Sequence, residues 1–152
     1  MKIKISDIPA AGRKITGKAP SAMLEIADEA MRPVGDVRYD LLVNVLEGRV
    51  IAMGSLAVDM EYRCSRCAEI FRQTASDNDV ICTKDFKEGE ESVDLTQELR
   101  EVTILSFPSY PLCGQDCRGL CTQCGANLNK GACRCGPRGD VRWGSLDSLK
   151  IK

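Results

Sequence analysis

The chain has 152 residues, of which 43% are apolar and only 5% aromatic, so it can bury one aliphatic core of useful size and is not a disordered chain. Net charge is −1, but the ends are basic and the middle acidic. Five bases (Lys2, Lys4, Arg13, Lys14, Lys18) face Asp7 in residues 1–19, nine acids face three bases in 77–101, and seven bases face two acids in 118–152. That pattern fits either solvated faces or basic ends that meet RNA while the acidic stretch keeps the protein soluble.

Lys2-Ile3-Lys4-Ile5 alternates polar and apolar residues, as a short strand does. No apolar run follows it, so no signal peptide is expected. Pro9, Gly12, Gly17 and Pro20 then read as breakers of regular structure. Ala22 to Met31 has helix-forming residues but alternates at Ala22, Leu24 and Ile26, and is read as strand. Tyr39, Leu41, Val43 and Val45 line one strand face. Glu47-Gly48 signals a turn, and Val58, Met60 and Tyr62 line a second strand, so Asp36 to Arg63 predicts an antiparallel hairpin or meander. The apolar region Leu41 to Val58 is interrupted by Asn44, Glu47 and Arg49, so no membrane span is expected.

Ile70–Thr74 and Asp79–Cys82 read as two further strands, and Lys84–Ser92 as an exposed acidic loop. Asp94 offers an N-cap for a helix with Leu95, Leu99, Val102 and Leu105 on one face, ended by Pro108. A cysteine-rich coil follows, and Val141 to Leu149 predicts a last short helix capped by Asp140. The expected fold is α+β: a mostly antiparallel β-sheet with one packed helix over residues 1–107, and a zinc-bound cysteine-rich region over 108–152 packed on it.

Nine cysteines and no histidine define the chemistry. A cytoplasmic location, where thiols stay reduced, is expected, and an odd count cannot be used up by disulfides. Eight cysteines form four close pairs, Cys64/Cys67, Cys113/Cys117, Cys121/Cys124 and Cys133/Cys135, and Cys82 stands alone in an apolar strand as a small buried hydrophobe. Eight thiols make two four-cysteine sites, and zinc takes four such ligands tetrahedrally. Two zinc ions per chain are therefore expected, although all-cysteine sites also admit an iron–sulfur cluster.

Four pairs split into two sites in three ways. Cys121/Cys124 with Cys133/Cys135 is favoured, because only the eight residues GANLNKGA separate the pairs and a short loop closes at little entropic cost. Cys64/Cys67 would then join Cys113/Cys117. The remaining partitions stay open, in particular one that joins Cys113 through Cys124 and ties Cys64/Cys67 to Cys133/Cys135. The glycines after Cys124 and Cys135 suit turns whose amides donate to the sulfurs.

Four thiolates around each ion leave no open position for catalysis, and no histidine stands by as a base. Glu90-Glu91 lie in the acidic loop, and the Gly114 and Gly119 region matches no phosphate-binding pattern. No enzyme, no small-molecule substrate and no membrane partner is expected. A thiol redox enzyme is the outside alternative, without the expected βαβ setting.

Cys64-Ser-Arg-Cys67 before Ala68-Glu69-Ile70-Phe71 resembles the first signature of the YceD family, the large ribosomal RNA subunit accumulation proteins. A second, more specific signature runs from Pro108-Ser-Tyr-Pro111-Leu-Cys113 through Asp116-Cys117-Arg-Gly119-Leu-Cys121 and Cys124-Gly125-Ala-Asn127-Leu128-Asn129 to Cys133 and Cys135. The Met1 start and the Asp94–Leu105 helix also sit where the family puts theirs. Where the family typically has Asp-Pro-Arg, this chain has Asp140-Val141-Arg142-Trp143.

The resemblance implies a non-catalytic ribosome-biogenesis factor, in bacteria and plastids, that supports accumulation or processing of large-subunit ribosomal RNA. The genes of the family typically lie beside that of a small zinc-ribbon protein of the large subunit. Partners are then ribosomal RNA, or a large-subunit ribosomal protein or processing factor bound without RNA contact. For RNA or partner contact the candidates are Arg118, Lys130, Arg134, Arg138 and Arg142.

Overall fold

The computed structural model describes residues 1–136. The final helix expected at Val141–Leu149 with its Asp140 cap, and the contact candidates Arg138 and Arg142, lie outside the described residues. The fold is α+β. Seven strands and one helix follow in the order β1 (Lys2–Lys4), β2 (Arg13–Ala19), β3 (Met31–Pro33), β4 (Val37–Leu46), β5 (Arg49–Arg63), β6 (Ile70–Asp85), β7 (Ser92–Asp94) and α1 (Thr96–Leu105). Every strand pairing is antiparallel. The main sheet runs β2-β4-β5-β3 with β6 on the free side of β5, and β1 pairs β7 in a small second sheet.

The β4–β5 hairpin forms as its sequence predicts. Leu46 pairs Arg49 across the two-residue turn Glu47-Gly48, whose φ values of 48° and 77° match the right-handed twist of the strands it joins. On β5 the even positions Val50, Ala52, Leu56, Val58, Met60 and Tyr62 are buried, and with Leu41, Val43, Cys82, Leu95 and Leu99 they form the core. Glu61 and Asp59 project from the opposite face and pair with Arg72 of β6 and Arg38 of β4. No helix among the described residues is long and apolar enough to cross a membrane.

Several local expectations change. Arg13–Ala19, expected to be broken, is a seven-residue strand on β4. Gly17 sits opposite Tyr39, and a Cβ at Gly17 would lie 2.5 Å from the Tyr39 hydroxyl, so the glycine makes room for the ring instead of ending the strand. Ala22–Met31 is not a strand: Ser21–Leu24 is a 3-10 turn that drives Leu24 into the core, and the chain becomes extended only at Met31. Burying Leu24 outweighs the alternation.

Ile70–Asp85 is one strand, with a register shift opposite Gly54 and Leu56 that absorbs the turn-like Asp77-Asn78-Asp79 as a bulge. Lys84 belongs to β6 rather than to a loop, and its ammonium reaches Glu98 of α1 at 2.9 Å. The Asp94 carboxylate accepts the Thr96 amide at 3.0 Å, while Leu95 occupies the N-cap position. Leu99 and Thr103 are the buried helix positions, whereas Leu105 is 81% exposed. At 100° per residue Leu105 lies about 120° around the axis from Leu99, off the core-facing stripe.

Candidate metal centres

Two Cys-x-x-Cys turns share one local design. After Cys64-Ser-Arg-Cys67, at the β5–β6 corner, Ala68 takes φ 59°, its amide donates to the Cys64 carbonyl at 2.9 Å, and the Cys64 amide donates to the Glu69 carbonyl at 2.8 Å. After Cys121-Thr-Gln-Cys124, Gly125 takes φ 73°, its amide donates to the Cys121 carbonyl at 2.8 Å, and the Cys121 amide donates to the Ala126 carbonyl at 2.8 Å. The turn folds the backbone over both sulfurs. Glycine signals it in the second case, whereas in the first an alanine accepts the left-handed conformation and leaves no mark in the sequence.

The structure gathers the eight thiols into two groups, Cys64/Cys67/Cys113/Cys117 and Cys121/Cys124/Cys133/Cys135, with the sulfurs of each group within 4.8 Å of one another. This is the partition favoured by loop length. The first group takes its ligand pairs from the sheet corner and from the segment after α1. Ser65 donates its amide to the Pro111 carbonyl at 2.9 Å, and the Arg66 guanidinium reaches the carbonyls of Gln115 (3.3 Å) and Cys117 (3.1 Å). The Leu120 amide closes the contact on the Arg66 carbonyl at 3.1 Å. Gly119 suits that place, because its φ of 74° is left-handed and a Cβ would come within 3.1 Å of that same carbonyl.

The donor set fits a metal ion. The Cys64–Cys117 and Cys67–Cys113 sulfurs are 3.8 and 3.7 Å apart. Metal–sulfur bonds of about 2.3 Å at tetrahedral angles require sulfurs about 3.8 Å apart, whereas a disulfide needs about 2.05 Å. Amides aim at the sulfurs: Arg66 and Cys113 donate to Cys64 at 3.5 and 3.4 Å, and the Asn129 side chain donates to Cys117 at 3.3 Å.

Protonation tells the same story. Burial pushes the Cys64 thiol up, but the amides of Cys113, Cys67 and Arg66 outweigh it and bring it down to about 6. The amides of Gln123 and Cys124, with the Cys133 thiol, bring Cys121 to about 6. Contact with Cys117 and Cys67 pushes Cys113 up to about 12, and contact with Cys124 does the same for Cys135. Four thiols packed this closely ionise together only around a cation. Cys82 is different: it is buried beneath α1, and burial with the nearby Glu98 carboxylate raises it to about 11, as an inert core thiol requires.

The contact candidates are less uniform. Arg118 and Arg134 are exposed. Lys130 is held by Glu69 at 2.6 Å, so its charge is locally neutralised. Sequence reasoning missed Arg66, Glu69, Asn127 and Asn129 as residues of the site.

Residues 75–150 match the family described as Large ribosomal RNA subunit accumulation protein YceD, a stretch that carries six of the eight clustered cysteines; Cys64 and Cys67 precede it. The chain is 27% identical over 156 residues to an uncharacterized protein of Mycobacterium tuberculosis, covering 86% of this chain and 75% of the relative. It is 36% identical over 59 residues to the protein of Arabidopsis thaliana named Large ribosomal RNA subunit accumulation protein YCED homolog 1, chloroplastic, covering 38% of this chain and 18% of that protein. The protein of the same name in Zea mays is 35% identical over 54 residues, 35% of this chain and 18% of that protein. No solved structure matches. With half its length matched and the whole second cysteine group inside the match, the chain belongs to the YceD family.

Proposed function

We propose that this protein is a non-catalytic ribosome-biogenesis factor that supports accumulation or processing of large-subunit ribosomal RNA, with its eight clustered cysteines holding two structural zinc ions. The observation that carries this reading is the pair of four-thiol groups, one of which staples the sheet corner to the segment after α1, in a chain of the YceD family. Zinc suits four thiolates closed in a tetrahedron, and in such a site binding energy becomes folding energy. The sheet-and-helix part, 1–107, and the described part of the cysteine-rich region, 108–136, then present one assembly surface. A reducing compartment such as the cytoplasm would keep these thiols available to the ions.

Two observations favour contact through a protein partner over direct RNA contact. The Lys130 ammonium is already engaged by Glu69. The outer sheet face carries an apolar row, Leu42 paired with Met53 and Met53 with Ile81, all exposed.

Cells lacking the protein are expected to show a lowered ratio of large- to small-subunit ribosomal RNA, restored by the wild-type chain but not by a chain lacking Cys64 and Cys121. An unchanged ratio would sink the reading. Direct contact further predicts that RNA affinity falls with salt and that replacing Arg118, Arg134 and Arg138 together removes up to about three counterions from that dependence. Salt-independent or undetectable RNA binding leaves the protein-mediated route.

A further inference from the structure

The loop that closes the second cysteine group also reaches the first. Residues 125–132 connect Cys124 to Cys133, and two asparagines on that loop, Asn127 and Asn129, bond to Glu69 and Cys117 at the first group. The Asn129 side-chain oxygen accepts the Arg118 amide at 2.8 Å. A backbone amide can only donate, so this bond fixes which end of the carboxamide faces it, and the Asn129 NH2 group is left pointing at the Cys117 sulfur, 3.3 Å away. Asn127 is held the same way. Its oxygen accepts the Asn129 amide at 3.0 Å, and its NH2 group donates to the Glu69 carboxylate at 3.2 Å. Glu69 closes the Cys64–Cys67 turn through its carbonyl and also grips Lys130 of the same loop. Leu128 donates its amide to the Gly119 carbonyl at 2.9 Å. The segment from Cys117 to Cys121 thus has a ligand of one group at each end, with the loop of the second group fastened along it.

We infer that Asn129 is a positioning residue for the first metal centre, held in place by the loop of the second, so that metal retention at Cys64/Cys67/Cys113/Cys117 depends on the second group being intact. The inference rests on the two-zinc reading above. The physical reason is charge. Four thiolates place two excess negative charges on a divalent ion, and an N–H donor to a thiolate disperses part of that charge and holds the sulfur in its ligating direction. Cys117 has its side-chain donor from a residue carried on the loop between Cys124 and Cys133, so opening the second group loosens the segment that positions it.

The test uses the full chain loaded with zinc. Zinc transfer to a chromogenic chelator is followed while released thiols are alkylated and located by mass spectrometry. Asn129→Ala removes both bonds. Asn129→Asp keeps the acceptor for the Arg118 amide but has no donor for sulfur. Both variants are expected to bind two zinc ions, to lose one of them about 10- to 100-fold more readily than wild type, and to release the Cys64, Cys67, Cys113 and Cys117 thiols first. With cobalt in place of zinc, the thiolate-to-metal charge-transfer band of that centre should shift in both variants, a change that a purely structural role would not produce. Cys133→Ser should weaken the remaining zinc to a similar degree, and Asn129→Ala added to it should cost nothing more. Wild-type behaviour of Asn129→Asp would overturn the inference, as would an undisturbed first centre in Cys133→Ser. Fewer than two ions on the wild-type chain would overturn the two-zinc reading along with it.

Discussion

A chain carrying Cys64→Ser is expected to lose one zinc ion and to release residues 111–136 from the sheet, whereas Cys133→Ser is expected to open the local loop and weaken the first centre's hold on its zinc without releasing that segment. The asymmetry follows from what each group joins. Cys64, Cys67 and Cys117 are buried, and their group fastens β5 and β6 to a segment about fifty residues away in sequence. Opening it exposes those sulfurs together with the Ser65–Pro111 and Arg66–Leu120 contacts. Cys124 and Cys135 are exposed, and their group closes a short stretch within the tail. Structural zinc sites supply about 10–16 kcal/mol of apparent folding energy in small domains, so losing a buried ligand removes several kcal/mol from the region it ties down. Hydrogen exchange would read this directly. Cys64→Ser should raise exchange throughout 111–130, and Cys133→Ser should raise it mainly beyond Cys121. Equal and global loss of protection in both variants would contradict the division into a staple and a local loop.

The second large effect lies in the sheet that carries the staple. Gly54 pairs with Leu41 on the buried face, and a Cβ there would sit 2.1 Å from the Asp40 carbonyl oxygen and 3.0 Å from the Leu41 Cα. These are backbone atoms in the middle of a paired strand, and they cannot give way as a flexible side-chain end would. Gly54→Ala is expected to destabilise the sheet by about 3 kcal/mol, lowering Tm by roughly 6–12 °C in a domain of this size. Gly35→Ala, whose added methyl would meet nothing nearer than 3.9 Å, serves as the control and should melt with wild type. A Gly54→Ala variant that melts with wild type would mean that β4 and β5 do not pack as described.

The hairpin of β4 and β5 was legible because two signals agreed: the alternation of Leu41 and Val43 with Val58, Met60 and Tyr62, and a turn sequence that fits a two-residue connection. β2 was hidden because Gly17 reads locally as a breaker, and only the Tyr39 ring on the neighbouring strand explains it. The unity of β6 was hidden for the same kind of reason. Asp77-Asn78-Asp79 has turn chemistry, and only pairing with β5 shows that the strand runs through it as a bulge. On α1, apolar residue type suggested Leu105, but the helical angle selects Thr103, which satisfies its hydroxyl by donating to the Leu99 carbonyl at 2.6 Å and so can be buried.

At the candidate centres, loop length favoured the grouping that the structure shows, because a thiol pair followed by a short loop and another pair closes at little cost, but it left the other partitions open. The asparagines were not legible. Asn127 meets Glu69 across 58 residues and Asn129 meets Cys117 across 12, and neither spacing has a local signature. The resemblance to the YceD family named the signature in which they stand, but only the fold shows what they touch.

The most direct test of the account is the metal content of the full chain purified under reducing conditions, by elemental mass spectrometry with a parallel thiol count. Two four-thiolate sites require about two zinc ions per chain and one accessible-on-unfolding thiol, Cys82, that does not depend on them. Iron with sulfide, or a chain with fewer than two ions whose 108–136 region is nonetheless ordered, would contradict it.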